Sequence, residues 1–301
     1  MKSAGVIVTY NRKHLLFQNI LMQINQSKLL DKLFIIDNHG TDGSYEYLVE
    51  NNLWNESWMN YIKLPENTGG AGGFYYGLKI AYEEGFDYIW LMDDDGKPYN
   101  NNTWKELYSL ANKLYVEKKE LFINSLVTEN GKELTFGFSL RMSLEKQWKL
   151  INEMAKKEVF FKGVANPFNG TLLTKETVQQ VGFPNKDFFM TRDETDYLRR
   201  CEDANVLVGT ALHSLYHHPK GKDREKRIGK IIIPIWENTD KEYYWIRNIT
   251  FSYKYRHRGR LLILLLCQLI AILIWQDKKL FRIKQYFVAI NNAKTGKMGK
   301  K

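Results

Sequence analysis

The run Tyr88-Ile89-Trp90-Leu91-Met92-Asp93-Asp94-Asp95 limits what this chain can fold into more than any other stretch. An apolar, β-leaning segment runs straight into three carboxylates, and Gly96 and Pro98 follow. That pattern reads as a buried strand stopping where its polar end meets solvent or a ligand. Three adjacent acids repel one another, so they do not serve stability, and a divalent cation relieves the repulsion most simply. At the carboxyl end of a strand in an open α/β sheet, such acids would lie in the crevice where ligands bind. The competing reading is an Asp-rich surface turn, and the rest of the chain decides between the two.

Upstream, strands and helices alternate. Gly5-Val6-Ile7-Val8-Thr9 is a continuous apolar run, and Leu16, Ile20, Leu21 and Ile24 then recur at helical spacing. Leu33-Phe34-Ile35-Ile36 ends at Asp37-Asn38, and Ser44 to Asn51 reads as a helix. Met59 to Leu64 reads as a third strand, and Phe74 to Glu84 as the helix that leads to the acidic strand. This alternation predicts an α/β protein with a mostly parallel, doubly wound sheet. Thr9, Asp37, Asn67 and Asp93 would then close four strands facing one crevice. There Asp37 suits the N–H of a base or a ribose hydroxyl, with Thr9 and Arg12 beside it; each is equally a common turn or capping residue. Gly69, Gly70, Gly72 and Gly73 precede a helix, where backbone N–H groups could approach an anion. Neither the G-x-G-x-x-G spacing nor a Gly-Lys-Ser/Thr sequence is present there, which excludes the dinucleotide and Walker motifs.

Beyond Pro98 a helix over Thr103 to Lys113 and a strand over Leu121 to Leu126 continue the pattern, which weakens from Lys132 to Lys157. Phe188-Phe189-Met190 reads as an aromatic strand running into Thr191-Arg192-Asp193-Glu194, whose acids open a helix where the dipole favours negative charge. A plain helix cap would account for Asp193 as well. Ala204 to Leu212 reads as a short strand, and three of the six histidines, His213, His217 and His218, follow it closely. Paired carboxylates with one imidazole suit Mn²⁺ or Mg²⁺. Cys201 and Cys267 lie in no paired spacing, which fits a reduced cytosolic compartment, and the apolar run at the N-terminus is too short for a secretory signal.

Together these segments resemble the inverting family 2 glycosyltransferases of GT-A fold, most closely the bacterial galactofuranosyltransferase and rhamnosyltransferase branch. The resemblance rests on Val6 to Arg12, Ile36-Asp37-Asn38-His39-Gly40-Thr41-Asp42-Gly43, Glu66 to Phe74, Trp90 to Asp95, Phe168-Asn169-Gly170 and Asp193 to Tyr197. It implies a Rossmann-like GT-A catalytic domain over 1–222, with a nucleotide-sugar half over about 1–100 and an acceptor half over about 101–222. By position it makes Asp93, Asp95 and His217 ligands of Mn²⁺ or Mg²⁺. It makes Thr9, Arg12, Asp37, Asn67 and Asp94 donor-binding residues, and Glu194 or Asp193 the general base. It also implies a nucleotide-sugar donor, with UDP-galactofuranose suggested by Asn67-Thr68-Gly69-Gly70-Ala71-Gly72-Gly73-Phe74, or dTDP-rhamnose as the alternative. Glu stands at 194 where Asp is usual in that branch, and Arg192 where Gly or Trp is frequent.

The net charge of +10 is confined to one end. Residues 251–301 hold 12 Lys and Arg against the single acid Asp277, whereas the first 250 residues carry 32 basic and 33 acidic side chains. Arg256, Arg258 and Arg260 precede the apolar block Leu261 to Trp275, and Lys278, Lys279, Arg282 and Lys284 follow it. A block of fifteen residues, apolar but for Gln268 and flanked by positive charge, predicts a helix lying in a membrane interface rather than crossing it; a buried core helix or an oligomer contact is the competing reading. Residues 223–301 are therefore expected to form a basic, helical, membrane-associating extension. It would hold the enzyme peripherally on the cytoplasmic face of the plasma membrane, beside a lipid-linked saccharide acceptor. A nucleic-acid module would need basic and aromatic residues interleaved, and a sugar nucleotidyltransferase a basic, Gly-rich N-terminal loop; neither is present.

Overall fold

The computed structural model describes residues 1–301 apart from 139–141, 222, 223, 230 and 254–257. Arg256, one of the basic residues expected to flank the apolar block, lies outside the described residues. The chain divides into two compact units. One comprises Met1–Asn67, Gly73–Pro184 and Tyr197–Lys220; the other comprises Thr68–Gly72, Asn185–Asp196 and Gly221–Lys301.

The first unit opens with β1 (Ser3–Thr9), α1 (Lys13–Ile24), β2 (Lys32–Asp37), α2 (Ser44–Glu50), β3 (Met59–Lys63), α3 (Gly69–Glu83) and β4 (Tyr88–Asp93). It continues through β5 (Lys97–Pro98), α4 (Thr103–Tyr115), β6 (Leu121–Glu129), β7 (Glu133–Leu134), α5 (Leu144–Ala155) and β8 (Phe160–Lys162). It ends with β9 (Thr171–Thr174), α6 (Lys175–Val181), the part of α7 (Asp193–Asp203) from Tyr197 onward, and β10 (Leu207–His217). The sheet runs β3-β2-β1-β4-β9-β6-β10-β5. The β1–β2, β1–β4, β2–β3 and β6–β10 pairs are parallel, as expected for a doubly wound α/β fold. The short strand β9 joins the two parallel halves in antiparallel sense to both β4 and β6.

Alternation along the strands builds two cores. Ile7, Ile35, Trp90 and Met92 enter one cluster, and Val6, Val8, Ile36, Ile89 and Leu91 the other. That period of two is what a sheet covered on both faces demands. Trp90 stacks on Trp104 of α4 with ring centroids 5.1 Å apart, and each such fully buried side chain contributes about 1.5–3 kcal/mol.

Two helices of the first unit differ from their sequence reading. The helix before β4 starts at Gly69 rather than Phe74, because its glycines let it lie against β1: an added Cβ would meet Val8 Cγ1 at 2.4 Å from Gly73 and Val6 Cγ1 at 2.3 Å from Gly77. The weak stretch contains α5, capped by Ser143 and burying only Gln147 and Ile151, so it leaves little apolar period to read.

The second unit carries an antiparallel hairpin, β11 (Arg224–Ile228) and β12 (Ile231–Ile235), and the helices α8 (Thr239–Tyr253), α9 (Arg258–Trp275) and α10 (Lys279–Thr295). Tyr243, Ile246 and Ile249 of α8, Leu261, Leu265 and Ile272 of α9, and Tyr286 and Ala289 of α10 form its core. Inside it, Glu242 accepts hydrogen bonds from Arg282 (2.6 Å), Gln268 (2.7 Å) and Gln276 (2.8 Å). Phe188 to Met190, expected as a strand, instead ends a 3-10 turn over Lys186–Phe188, with Phe189, Thr191 and Arg192 at φ of 65°, 62° and 70°. Side chains rather than a neighbouring strand take its carbonyls: Asn248 Nδ2 donates to Phe188 O, Met190 O and Thr191 O at 2.9–3.0 Å, and Arg247 to Asp187 O and Phe188 O.

Candidate active site

Parallel pairing brings the strand ends of the first unit together. Thr9 is in register with Asp37, and Val8 with Asp93, so β1, β2 and β4 deliver Thr9, Asp37 and the three acids to one edge of the sheet. Asn19, fully buried on α1, donates to Asp93 O (3.1 Å) and Gly96 O (2.6 Å) and fixes the turn that carries the acids.

The three carboxylates are held differently. Asp94, 4% exposed, accepts from Thr9 Oγ1 at 2.8 Å and from Arg12 at 3.0 Å. Arg12 reaches on to Asp95 Oδ2 at 2.8 Å, so one guanidinium bridges two of the acids. His218 Nε2 stands 3.3 Å from Asp95 Oδ1 while its Nδ1 lies 2.7 Å from Pro219 O. For Asp95, burial is outweighed by the His218 hydrogen bond and charge and by Arg12, and its carboxyl lies below the usual range. The same pairing overcomes burial at His218 and raises its imidazole. At Asp93 burial, and then repulsion by Asp95 and Asp94, outweigh the charges of His218 and Arg12 and push its carboxyl up to about 8.

The imidazole beside Asp95 is therefore that of His218, not of His217, which the resemblance had singled out. His217 is the last residue of β10, and His218 lies just past the end of the strand. His217 Nδ1 accepts from Asn130 N–H at 3.1 Å, and burial and then Lys97 lower its basicity. His213 Nε2 lies 2.8 Å from Ala155 O.

Asp37, 3% exposed, accepts from Gly40 N–H at 2.6 Å and from the Tyr61 hydroxyl at 2.7 Å. It borders a cavity of about 410 Å³ shared with Gly40, Ser44, Tyr45, Trp54 and Tyr61. Asn67 is half-buried, two residues before α3.

In the second unit Asp193 and Glu194 begin α7; Asp193 is 5% exposed, and Glu194 Oε1 accepts from Thr195 Oγ1 at 3.2 Å. The turn ahead of them is the one clamped by Asn248 and Arg247. Gly69 fits against it only for want of a side chain: its φ is +71°, and a Cβ there would lie 1.9 Å from Phe189 O. The sequence reading singled out neither Asn19, Tyr61, Asn248 nor Arg247, each an ordinary polar residue in a helix or strand with no local motif around it. His218 was within its reach as a neighbour of His217.

The donor set suits a hard divalent ion: carboxylate oxygens with one imidazole, at a place where Asp93 lacks a counter-charge of its own. Among the described residues no three His, Cys, Asp or Glu side chains close into a cage, so the protein would supply only part of a coordination shell.

Sheet order and the acids at the strand ends are those of a GT-A fold. The chain belongs to glycosyl transferase family 2, whose profile matches residues 6–181. It is 28% identical over 252 residues to the galactofuranosyltransferase GlfT1 of Mycolicibacterium smegmatis, covering 81% of this chain and 80% of the relative. It is 22% identical over 299 residues to the dTDP-rhamnosyl transferase RfbF of Shigella flexneri, covering 95% and 93%. Among solved structures, the mannosyltransferase PcManGT of Pyrobaculum calidifontis, in complex with GDP-Man and Mn²⁺, matches with a TM-score of 0.56 at 11% identity, covering 98% of this chain and 75% of that one.

Proposed function

We propose that this glycosyltransferase moves a sugar, with inversion, from UDP-galactofuranose to a hydroxyl of a lipid-linked glycan at the inner face of the plasma membrane. The observation that carries this reading is the placement of Thr9, Arg12, Asp37 and the three acids Asp93, Asp94 and Asp95 at the carboxyl ends of β1, β2 and β4, with His218, just past β10, beside Asp95. In this reading Asp37 faces the base, Thr9, Arg12 and Asn67 border the nucleotide, and Asp94 reaches the donor sugar. Asp93 and Asp95, with His218 beside Asp95, would supply part of the shell of a Mn²⁺ or Mg²⁺ ion, which when bound would neutralise the negative charge of the departing diphosphate. The acceptor hydroxyl must lose its proton as it attacks, and Glu194 or Asp193 is the carboxylate that takes it. A single displacement inverts the anomeric carbon and needs no enzyme nucleophile.

Similarity to GlfT1 favours galactofuranose; similarity to RfbF over nearly the whole chain keeps dTDP-rhamnose as the second donor to test. A lipid-linked acceptor is supported by the apolar faces that α9 and α10 leave exposed beside basic residues. By length and composition α9 could also cross a bilayer, but Leu265, Gln268, Ala271 and Ile272 are buried inside its own unit, which favours a helix lying along the surface. The deciding experiment incubates the protein with Mn²⁺, a panel of nucleotide sugars and a lipid-linked acceptor, and follows nucleotide release and the anomeric configuration of the product. Release from UDP-galactofuranose alone, lost on chelation, is expected; retention of configuration or metal-independent turnover sinks the reading.

A further inference from the structure

We infer that Tyr61 is a positioning residue that sets the nucleobase preference of the enzyme: it holds Asp37 as a fixed acceptor and so selects a base that carries a ring N–H. The inference rests on the donor reading above, since it takes Asp37 to face the base.

The geometry is local to the first unit. Asp37 is nearly inaccessible, and each carboxylate oxygen already takes one hydrogen bond from a neutral donor, Oδ1 from Gly40 N–H at 2.6 Å and Oδ2 from the Tyr61 hydroxyl at 2.7 Å. Among the described residues no Lys, Arg or His pairs with it. Two fixed donors on two different oxygens leave the carboxylate no rotational choice, and the lone pairs that remain can only accept.

Tyr61 is held in turn. Its ring meets Tyr45 edge-on at 5.2 Å and Trp54 at 6.4 Å, and Tyr45 meets Trp54 at 5.1 Å. Burial, and then the Asp37 carboxylate, raise its phenol well above the ordinary value, so the hydroxyl remains a donor. The cavity of about 410 Å³ beside this pair gives a planar ring access to it.

An acceptor-only carboxylate distinguishes bases by what their ring nitrogen offers. Uracil and thymine present an N3–H, and guanine an N1–H. Cytosine N3 and adenine N1 are themselves acceptors, and facing Asp37 they would leave lone pairs opposed. A site built to receive a hydrogen discriminates strongly against an analogue that lacks it.

The test measures binding of UDP, TDP, GDP and CDP, each with Mn²⁺, by titration calorimetry, together with steady-state kinetics on the preferred nucleotide sugar. In the parent, UDP, TDP or GDP should bind at least about tenfold more tightly than CDP. Tyr61→Phe keeps the ring and its packing while removing the donor; it should raise KM about tenfold, lower kcat far less, and narrow the margin over CDP. Asp37→Asn, whose amide can donate, should shift preference toward CDP. A purely structural Tyr61 would alter the active fraction and leave the UDP-to-CDP ratio unchanged; that result, or a parent that binds CDP as well as UDP, overturns the inference. A parent that binds no nucleoside diphosphate overturns both this inference and the donor reading, whereas selective binding unaffected by Tyr61→Phe overturns this inference alone.

Discussion

Each unit of this enzyme buries a knot of charge, and the two knots are built on opposite terms. In the second unit Glu242, 3% exposed, receives Arg282, Gln268 and Gln276, and Arg282 is satisfied further by Asp277 and by Glu237 O. In the first unit three successive carboxylates share Arg12 and His218, and Asp93 is left with a carboxyl pushed up to about 8. A satisfied buried pair joins three helices, and removing one partner would strand the other in a low-dielectric core. An unsatisfied one works against folding and persists where something else needs it. Satisfaction, more than burial or charge, separates the structural cluster from the candidate site.

The largest contrast should come from Asp93→Asn. If the acids hold the metal, turnover should fall at least about a thousandfold, the size expected when the main electrostatic stabilisation of a leaving group is lost. Yet the same variant, without divalent ions at pH 8, should be more stable than the parent by about 2 kcal/mol in urea unfolding: burial and then repulsion push the native Asp93 carboxyl up to about 8, so at that pH the unfolded chain ionises it freely while the folded one resists, and the amide removes that cost. A less stable Asp93→Asn protein would break the comparison. Arg282→Met is the mirror case: it should cost about 3–4 kcal/mol by leaving Glu242 unpaired, while nucleotide affinity of the folded fraction stays at the parent value. Equal stability there would place Glu242 among the dispensable charges.

Most of the first unit was legible in the sequence, because its strands are buried on both faces and each announces itself as an apolar run ending in a turn. The acids of β4, Thr9 and Asp37 followed from the same reading, since a parallel sheet aligns its strand ends whatever the connections do. Three things were not legible. His217 closes β10 and His218 follows just past it, and two adjacent imidazoles carry nothing in the sequence that says which one lies beside Asp95. Phe188 to Met190 has strand chemistry, but its carbonyls belong to Asn248 and Arg247, some 60 residues away. Tyr61 lies in an ordinary strand, and only the pairing of β2 with β3 brings it to Asp37.

Asn248 sharpens the contrast at a smaller scale, because it satisfies carbonyls rather than charges. Its amide holds three of them in a turn with three non-glycine residues at positive φ, a conformation that persists only when its surroundings enforce it. Asn248→Ala should lower stability by about 2 kcal/mol and, if Asp193 or Glu194 is the base, reduce kcat more than donor affinity. Donor affinity falling in step with kcat would detach this turn from catalysis.

The smallest expected effect concerns the outer surface of the second unit. Leu262, Leu266 and Ile274 of α9 are 58–68% exposed, and Leu280 (86%) and Phe287 (59%) of α10 are exposed too, with Lys279 and Lys284 on α10 and Lys278 in the connection before it. Apolar side chains rimmed by cations suit anionic head groups, whose attraction adds about 1 kcal/mol per Lys or Arg at the surface. The full-length enzyme should therefore sediment with phosphatidylglycerol vesicles more than with phosphatidylcholine ones, and the difference should shrink in high salt. Leu280→Glu with Phe287→Glu, both at exposed positions, should weaken that binding about tenfold with unchanged melting temperature and nucleotide affinity. Retained vesicle binding in the double variant would take α10 out of the membrane surface, and a parent dimer that the same changes dissociate would give the face to a second copy of the chain instead.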